Sequence, residues 1–161
     1  MPERQIAFSE FQNDDGSADP RLVAAIESGD HGRVLAALSE ARLLVPVVAL
    51  LGEVSYDDRG LAQDKSADMA VVLMTGRDGR RALLAFTCTT SLAAWQPDAR
   101  PMPATTTLAA TAAVQEGADA IVIDVGGPHT VVIESDDVRH LAAGHHVVRL
   151  EDGTHAWAAA S

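Results

Sequence analysis

Cysteine is nearly absent: Cys88 is the single one in 161 residues. It excludes an internal disulfide framework and any cysteine-paired zinc site. Aromatic residues are scarce at 4%, although 47% of the chain is hydrophobic, much of it alanine and valine. Small side chains fill a core only where backbones approach closely, as helices do on a sheet. Positive charge is also short, with 12 Lys and Arg against 23 Asp and Glu and a net charge of -11. That excess repels phosphates and anionic lipid surfaces, so neither nucleic acid by direct contact nor a membrane is an expected partner. No apolar run approaches the ~20 residues that span a bilayer. The start, Met1-Pro2-Glu3-Arg4-Gln5, lacks the basic and apolar regions of a cleaved leader, and a cytoplasmic location is expected. Neither a GxGxxG fingerprint nor a P-loop lysine is present.

What is there centres on Met69 to Thr87. Met69–Thr75 and Arg81–Thr87 are apolar runs, and Gly76-Arg77-Asp78-Gly79-Arg80 lies between them. An Asp-Gly pair between two such runs signals a hairpin, because glycine accepts positive φ at no steric cost. The near-continuous apolar character predicts central strands covered on both faces.

Before this hairpin, residues 1–18 read as a flexible arm, with Ile6, Phe8 and Phe11 as its apolar exceptions. Asp19-Pro20 reads as an N-cap followed by proline at the first helical position. Leu22, Val23 and Ile26, then Val34, Leu35 and Leu38, recur at helical spacing around Gly29-Asp30-His31-Gly32. Residues 19–41 are therefore expected to form a helical hairpin. Arg42 to Leu51 reads as a strand, placed at an edge or bulged because Pro46 cannot donate a ladder bond. A charged connection follows, with Asp57, Asp58, Asp64, Lys65 and Asp68.

Beyond the hairpin, the hydroxyl residues of Thr87-Cys88-Thr89-Thr90-Ser91 are expected to cap a short helix with Leu92 and Trp95. Pro97, Pro101 and Pro103 impose an extended passage. One of Thr105, Thr106 or Thr107 caps a helix whose face carries Leu108, Ala109, Ala112, Ala113 and Gln115. Ala120–Val125 and Thr130–Glu134 read as strands joined by Gly126-Gly127-Pro128-His129. Ser135 is expected to cap a last helix with Asp136 and Asp137 in its first turn, where the helix dipole favours them. Residues 145–150 offer one more edge strand, and 151–161 a C-terminal tail. The expectation is α+β: a single domain over 19–150, its core at 42–142, with a mixed sheet of about five or six strands around the central hairpin and helices covering it.

The order of Leu44-Val45-Pro46-Val47, Asp64-Lys65, the Thr75 to Arg80 turn, Ala85-Phe86-Thr87, Leu92 with Trp95, and Gly117 through Asp124 with Gly127-Pro128 resembles the SseB family, in the form common among actinobacteria. The resemblance runs from about Leu38 to Leu141. It implies a compact mixed domain. The family's name evokes serine sensitivity and secretion, and it brings no catalytic motif, so no site residue is carried over.

Candidate chemistry is sparse. His140, His145, His146 and His155, with Glu151 and Asp152, carry metal-binding groups, but their spacing fits no metal motif and a solvated tail explains them better. Cys88 before a helix suggests an activated thiolate with His129 as the nearest base in a loop, against the commoner inert cysteine. Gly126-Gly127-Pro128 reads as a tight turn rather than a phosphate loop, and the acids near Lys65 are not an EF-hand. Trp95 reads as a core plug, and Lys65 as a surface ion-pair former. No catalytic, cofactor or metal residue is assigned and no cofactor is implied. A non-enzymatic interaction or regulatory module with a protein partner is expected. The alternatives are a small-molecule- or metal-binding enzyme and a secretion-associated factor.

Overall fold

The computed structural model describes residues 13–49, 55–56, 62–63 and 69–159. Ile6, Phe8 and Phe11 of the expected arm, and Asp57, Asp58, Asp64, Lys65 and Asp68, lie outside the described residues.

Among the described residues two short helices come first, α1 (Pro20–Ser28) and α2 (His31–Leu38). Asp19 caps α1 by accepting from the Arg21 N–H, and Pro20 occupies the first turn as expected. Asp30 caps α2, accepting from the Gly32 and Arg33 amides. Gly29, at φ +71°, turns the chain between them.

Strand β1 (Arg42–Ala49) lies between β4 (Met69–Val71) and β7 (Arg100–Thr105) in an antiparallel sheet, while β2 (Ser55–Tyr56) and β3 (Ala62–Gln63) pair with each other. Pro46 therefore sits in a central strand, correcting the edge placement. Leu44 exchanges both backbone bonds with Phe86, at 2.8 Å each. Two residues on, the Pro46 nitrogen faces that same side, in the gap between the Phe86 bridge and the β4 pairing that starts at Val47–Val71. No ladder bond is forfeited. The opposite partners Pro101 and Pro103 pair with Pro46 and Leu44. Their nitrogens consequently face the open edge of β7, where proline is tolerated. The passage expected to be merely extended is thus a full strand.

The second sheet has the order β5 (Leu73–Thr75), β6 (Arg81–Ala85), β8 (Ala120–Ile123), β9 (Val131–Glu134), with β6 and β8 parallel. Apart from the β2–β3 pair and a C-terminal pair, the described strands are thus divided between two sheets, joined by the Leu44–Phe86 bridge and by the run through Val72. That run changes partner: β4 pairs with β1, and β5 pairs with β6. The predicted hairpin is present. Gly79 has φ +81° and donates to the Gly76 carbonyl, and Asp78 accepts from the Arg80 amide. Only its second half is covered on both faces. β5 is an edge strand and Met74 is exposed, contrary to the two-sided burial expected of it.

Side chains alternate across β6 and β8. Leu83, Ala85, Ile121 and Ile123 join a core with α1, α2, α4 (Thr106–Gln115) and α5 (Ser135–Ala142). Ala82, Leu84, Phe86, Ala120 and Val122 face the other way, where α3 (Thr89–Trp95) supplies Leu92 and Trp95 lies 5.5 Å from the Phe86 ring. Burial of each fully enclosed leucine or phenylalanine contributes about 1.5–3 kcal/mol. On α4 the inward face is Thr106, Ala109, Ala110 and Ala113, and Leu108 is exposed instead of buried. Thr105 is its cap. At α5 the expected Ser135 cap is displaced by one residue: Glu134 stands at the N-cap without a side-chain bond, and Asp136 and Asp137 occupy the first turn. After Gly144 come β10 (His146–Arg149) and β11 (His155–Ala158), an antiparallel pair. The segment read as a tail therefore contains a strand.

Candidate functional site

Two polar junctions carry the chemistry-bearing side chains. The first lies at the carboxyl ends of the parallel strands β6 and β8, where open α/β sheets place ligands. Asp124 ends β8 with φ +57°, a left-handed conformation that Asp and Asn tolerate better than other side chains. Its N–H donates to the Ala85 carbonyl at 3.0 Å. Its carboxylate accepts from the Thr87 amide at 2.8 Å, the Thr87 hydroxyl at 2.7 Å and the Ser91 hydroxyl at 2.9 Å. Its carbonyl accepts from the Gly127 amide and the Thr130 hydroxyl, which closes the Gly126-Gly127-Pro128 turn. That segment is a turn and presents no helix N-terminus.

Beside it, Cys88 is the N-cap of α3, a role assigned from sequence to the neighbouring hydroxyls. Its Sγ accepts from the Ser91 amide at 3.5 Å. Burial pushes the thiol up, but hydrogen bonding from Ser91 and Thr87 outweighs it and brings the thiol below its ordinary range, against the Asp124 charge. The Ser91 hydroxyl has a single proton. The nearest acceptor for it is the Asp124 carboxylate at 2.9 Å, whereas Sγ stands at 3.5 Å. With the Cys88 carbonyl also at 3.0 Å, the hydroxyl has two closer acceptors, so the Ser91 contacts that lower the thiol are long ones. His129 is exposed in the turn and is not among the hydrogen-bond partners of Cys88.

Arg42 closes this junction from β1. It donates to Asp14 through Nε at 2.5 Å and Nη2 at 2.7 Å, to the Ser17 carbonyl at 2.7 Å and to the Thr87 carbonyl at 2.9 Å. Both partners of the ion pair are largely shielded, with 15% and 13% of their side chains exposed. An open polar groove beside them is lined by Asn13, Asp15, Ser17 and Pro20. Thr87 and Ser91 were expected only as helix-capping hydroxyls, and Asp14, Arg42 and Asp124 were not expected at a site. The one local signal was an acid ending the apolar run Ile121-Val122-Ile123.

The second junction holds the histidines. His140 stacks on Trp157 at 4.6 Å with 10° between the planes, and its Nδ1 lies 2.9 Å from Nδ1 of His145. His31 Nε2 lies 3.0 Å from Asp137. Gly32 leaves room for His155: a Cβ there would come within 2.3 Å of its ring. His146 is exposed on β10, away from this pair. Asp152 is held below the usual carboxylate range by the Thr154 hydroxyl and amide, which makes it a turn former. Among the described residues no group of three or more His, Cys, Asp or Glu side chains converges as a metal site would require. No helix among them is long and apolar enough to cross a membrane.

An antiparallel and a mixed sheet, joined at Leu44–Phe86 and flanked by helices, define a small α+β domain whose polar junctions are internally bonded. Residues 21–140 match the family model of the SseB protein N-terminal domain, so the chain belongs to the SseB family. No curated protein and no solved structure matches the chain.

Proposed function

We propose that this SseB-family domain, of the actinobacterial type, is a non-enzymatic interaction or regulatory module that works in the cytoplasm by binding another protein. One observation carries the reading. Where the topology would place a ligand, the polar groups already serve one another. Asp124 has three donors on its carboxylate, and Arg42 is taken up by Asp14, Ser17 and Thr87. An active site needs groups free to meet a substrate. Among the described residues the exposed large apolar side chains lie elsewhere: Met74 on edge strand β5, Val132 on edge strand β9, Leu108 and Val114 on α4, and Leu150 after β10. Edge strands with apolar side chains are surfaces that partners use. A secretion-associated accessory role is one form of this reading.

An enzyme acting through Cys88 is the second reading, favoured by the lowered thiol. Asp124, the acid beside it, already accepts three hydrogen bonds from Thr87 and Ser91, and His129 is not among the hydrogen-bond partners of Cys88. Tagged capture from native lysate at low and moderate salt separates the two. A stoichiometric protein partner supports the module. A blank from folded protein, with stabilisation by a metabolite or metal in a thermal-shift screen, supports the enzyme.

A further inference from the structure

We propose that residues 14–17 are a releasable strap, latched by the single guanidinium of Arg42, that holds Cys88 in its capping role and lets go without unfolding of the domain.

The strap grips the chain on both sides of Cys88. On one side Arg42 ties Asp14 and the Ser17 carbonyl to the Thr87 carbonyl. On the other, the Gly16 carbonyl accepts from the Thr89 amide at 2.9 Å, the first helical N–H of α3. Gly16 is required for that approach. It has φ +80°, and a Cβ would stand 2.6 Å from Cγ2 of Thr89. A side chain at this position therefore meets both a conformational and a steric barrier.

What holds the strap is polar throughout. Gly16 is its only buried residue and has no side chain, while Asp15 and Ser17 are exposed. Segments without buried apolar contacts open locally at a small fraction of the global unfolding free energy. Here most anchors to the body converge on Arg42, and only the Gly16 carbonyl is held besides, by the Thr89 amide at 2.9 Å and its hydroxyl at 3.4 Å, so loss of the Arg42 clasp leaves the segment on one carbonyl. α3 is unlike the strap: it stays fixed by Leu92 in the second core and by Trp95 against Phe86. Opening thus leaves the sheet intact and Thr87 on Asp124; it removes the Arg42 bond to the Thr87 carbonyl and the Gly16 bond to the Thr89 amide, the two strap restraints that flank Cys88.

Because Cys88 is the only cysteine, its alkylation by N-ethylmaleimide at constant pH reports one site in the full chain. Asp14→Asn and Gly16→Val each raise the labelling rate at least tenfold over wild type. Gly79→Val, at a turn with no neighbour within 4 Å and φ +81°, changes it less than twofold while the fold stays cooperative. Equal rates in wild type and the strap variants, or equal acceleration by Gly79→Val, overturn the proposal. Native-state hydrogen exchange of wild type needs no variant. The Thr89 amide exchanges by local opening at least tenfold faster than the Leu92 amide, which donates to the Cys88 carbonyl. Exchange of Thr89 only through global unfolding also overturns it.

Discussion

Asp124 and His140 both stand where a peripheral segment meets the body of the domain, yet they are held by different physics. Around Asp124 the acceptors are a carboxylate and carbonyls, and the donors are amides, hydroxyls and a guanidinium. No imidazole takes part in these bonds, so each donor and acceptor role is fixed by the groups themselves. Around His140 the contact is between two imidazoles, Nδ1 to Nδ1 at 2.9 Å. One ring must offer a proton and the other a bare nitrogen. That junction has two donor–acceptor assignments. The difference teaches that a polar cluster is read from who donates to whom. By composition alone, the histidine-rich end looks functional and the Thr-Cys-Ser end looks ordinary. By geometry, the second is the more constrained.

The largest effect expected from breaking this contrast is at Asp124. Asp124→Ala leaves the Thr87 amide and hydroxyl without their acceptor, while the Ser91 hydroxyl keeps the Cys88 carbonyl at 3.0 Å, at a cost of about 3 kcal/mol. Asp124→Asn keeps an acceptor and costs less than half as much. Urea unfolding of the two variants checks this, and equal losses would deny the network its role. The hairpin turn calibrates the scale from outside both junctions. Gly79→Val places a β-branched residue at φ +81° and lowers stability by about 1–2 kcal/mol, read as a lower unfolding midpoint. An unchanged midpoint contradicts the turn assignment.

The smallest effect is spectroscopic. His140 stacks on Trp157 with 10° between the planes. In a Trp95→Phe background, His140→Ala should therefore shift the fluorescence of Trp157. The NMR resonance of the Thr87 amide should stay fixed in the same variant. Movement of both signals together would erase the distinction between the junctions.

The local features were legible in the sequence. Asp19-Pro20, Asp78-Gly79 and Gly117 mark the start of α1, the hairpin turn and the end of α4, because cap and turn chemistry acts within a few residues. The continuous apolar runs at Arg81–Ala85 and Ala120–Ile123 correspond to strands buried on both faces. What was missed is long-range. Asp14 meets Arg42 across 28 residues and Thr87 meets Asp124 across 37. Neither pairing leaves a periodic trace. β7 was masked by its prolines, whose tolerance depends on which edge their nitrogens face, and that is fixed only once β1 is paired. β11 was missed because Ala156, Trp157 and Ala158 have no alternation of polar and apolar residues.

The account stands on the claim that the Cys88 junction is structural and that function resides on the exposed edges. The most direct measurement is capture of the lysate partner by three tagged full-length proteins: wild type, Cys88→Ala and Val132→Glu. The account predicts that Cys88→Ala retains the partner in the wild-type ratio, and that Val132→Glu, altered at an exposed edge-strand position, loses it while keeping a cooperative melting curve. Loss of the partner with Cys88→Ala at unchanged stability, and its retention with Val132→Glu, would contradict that claim and move the function to the thiol.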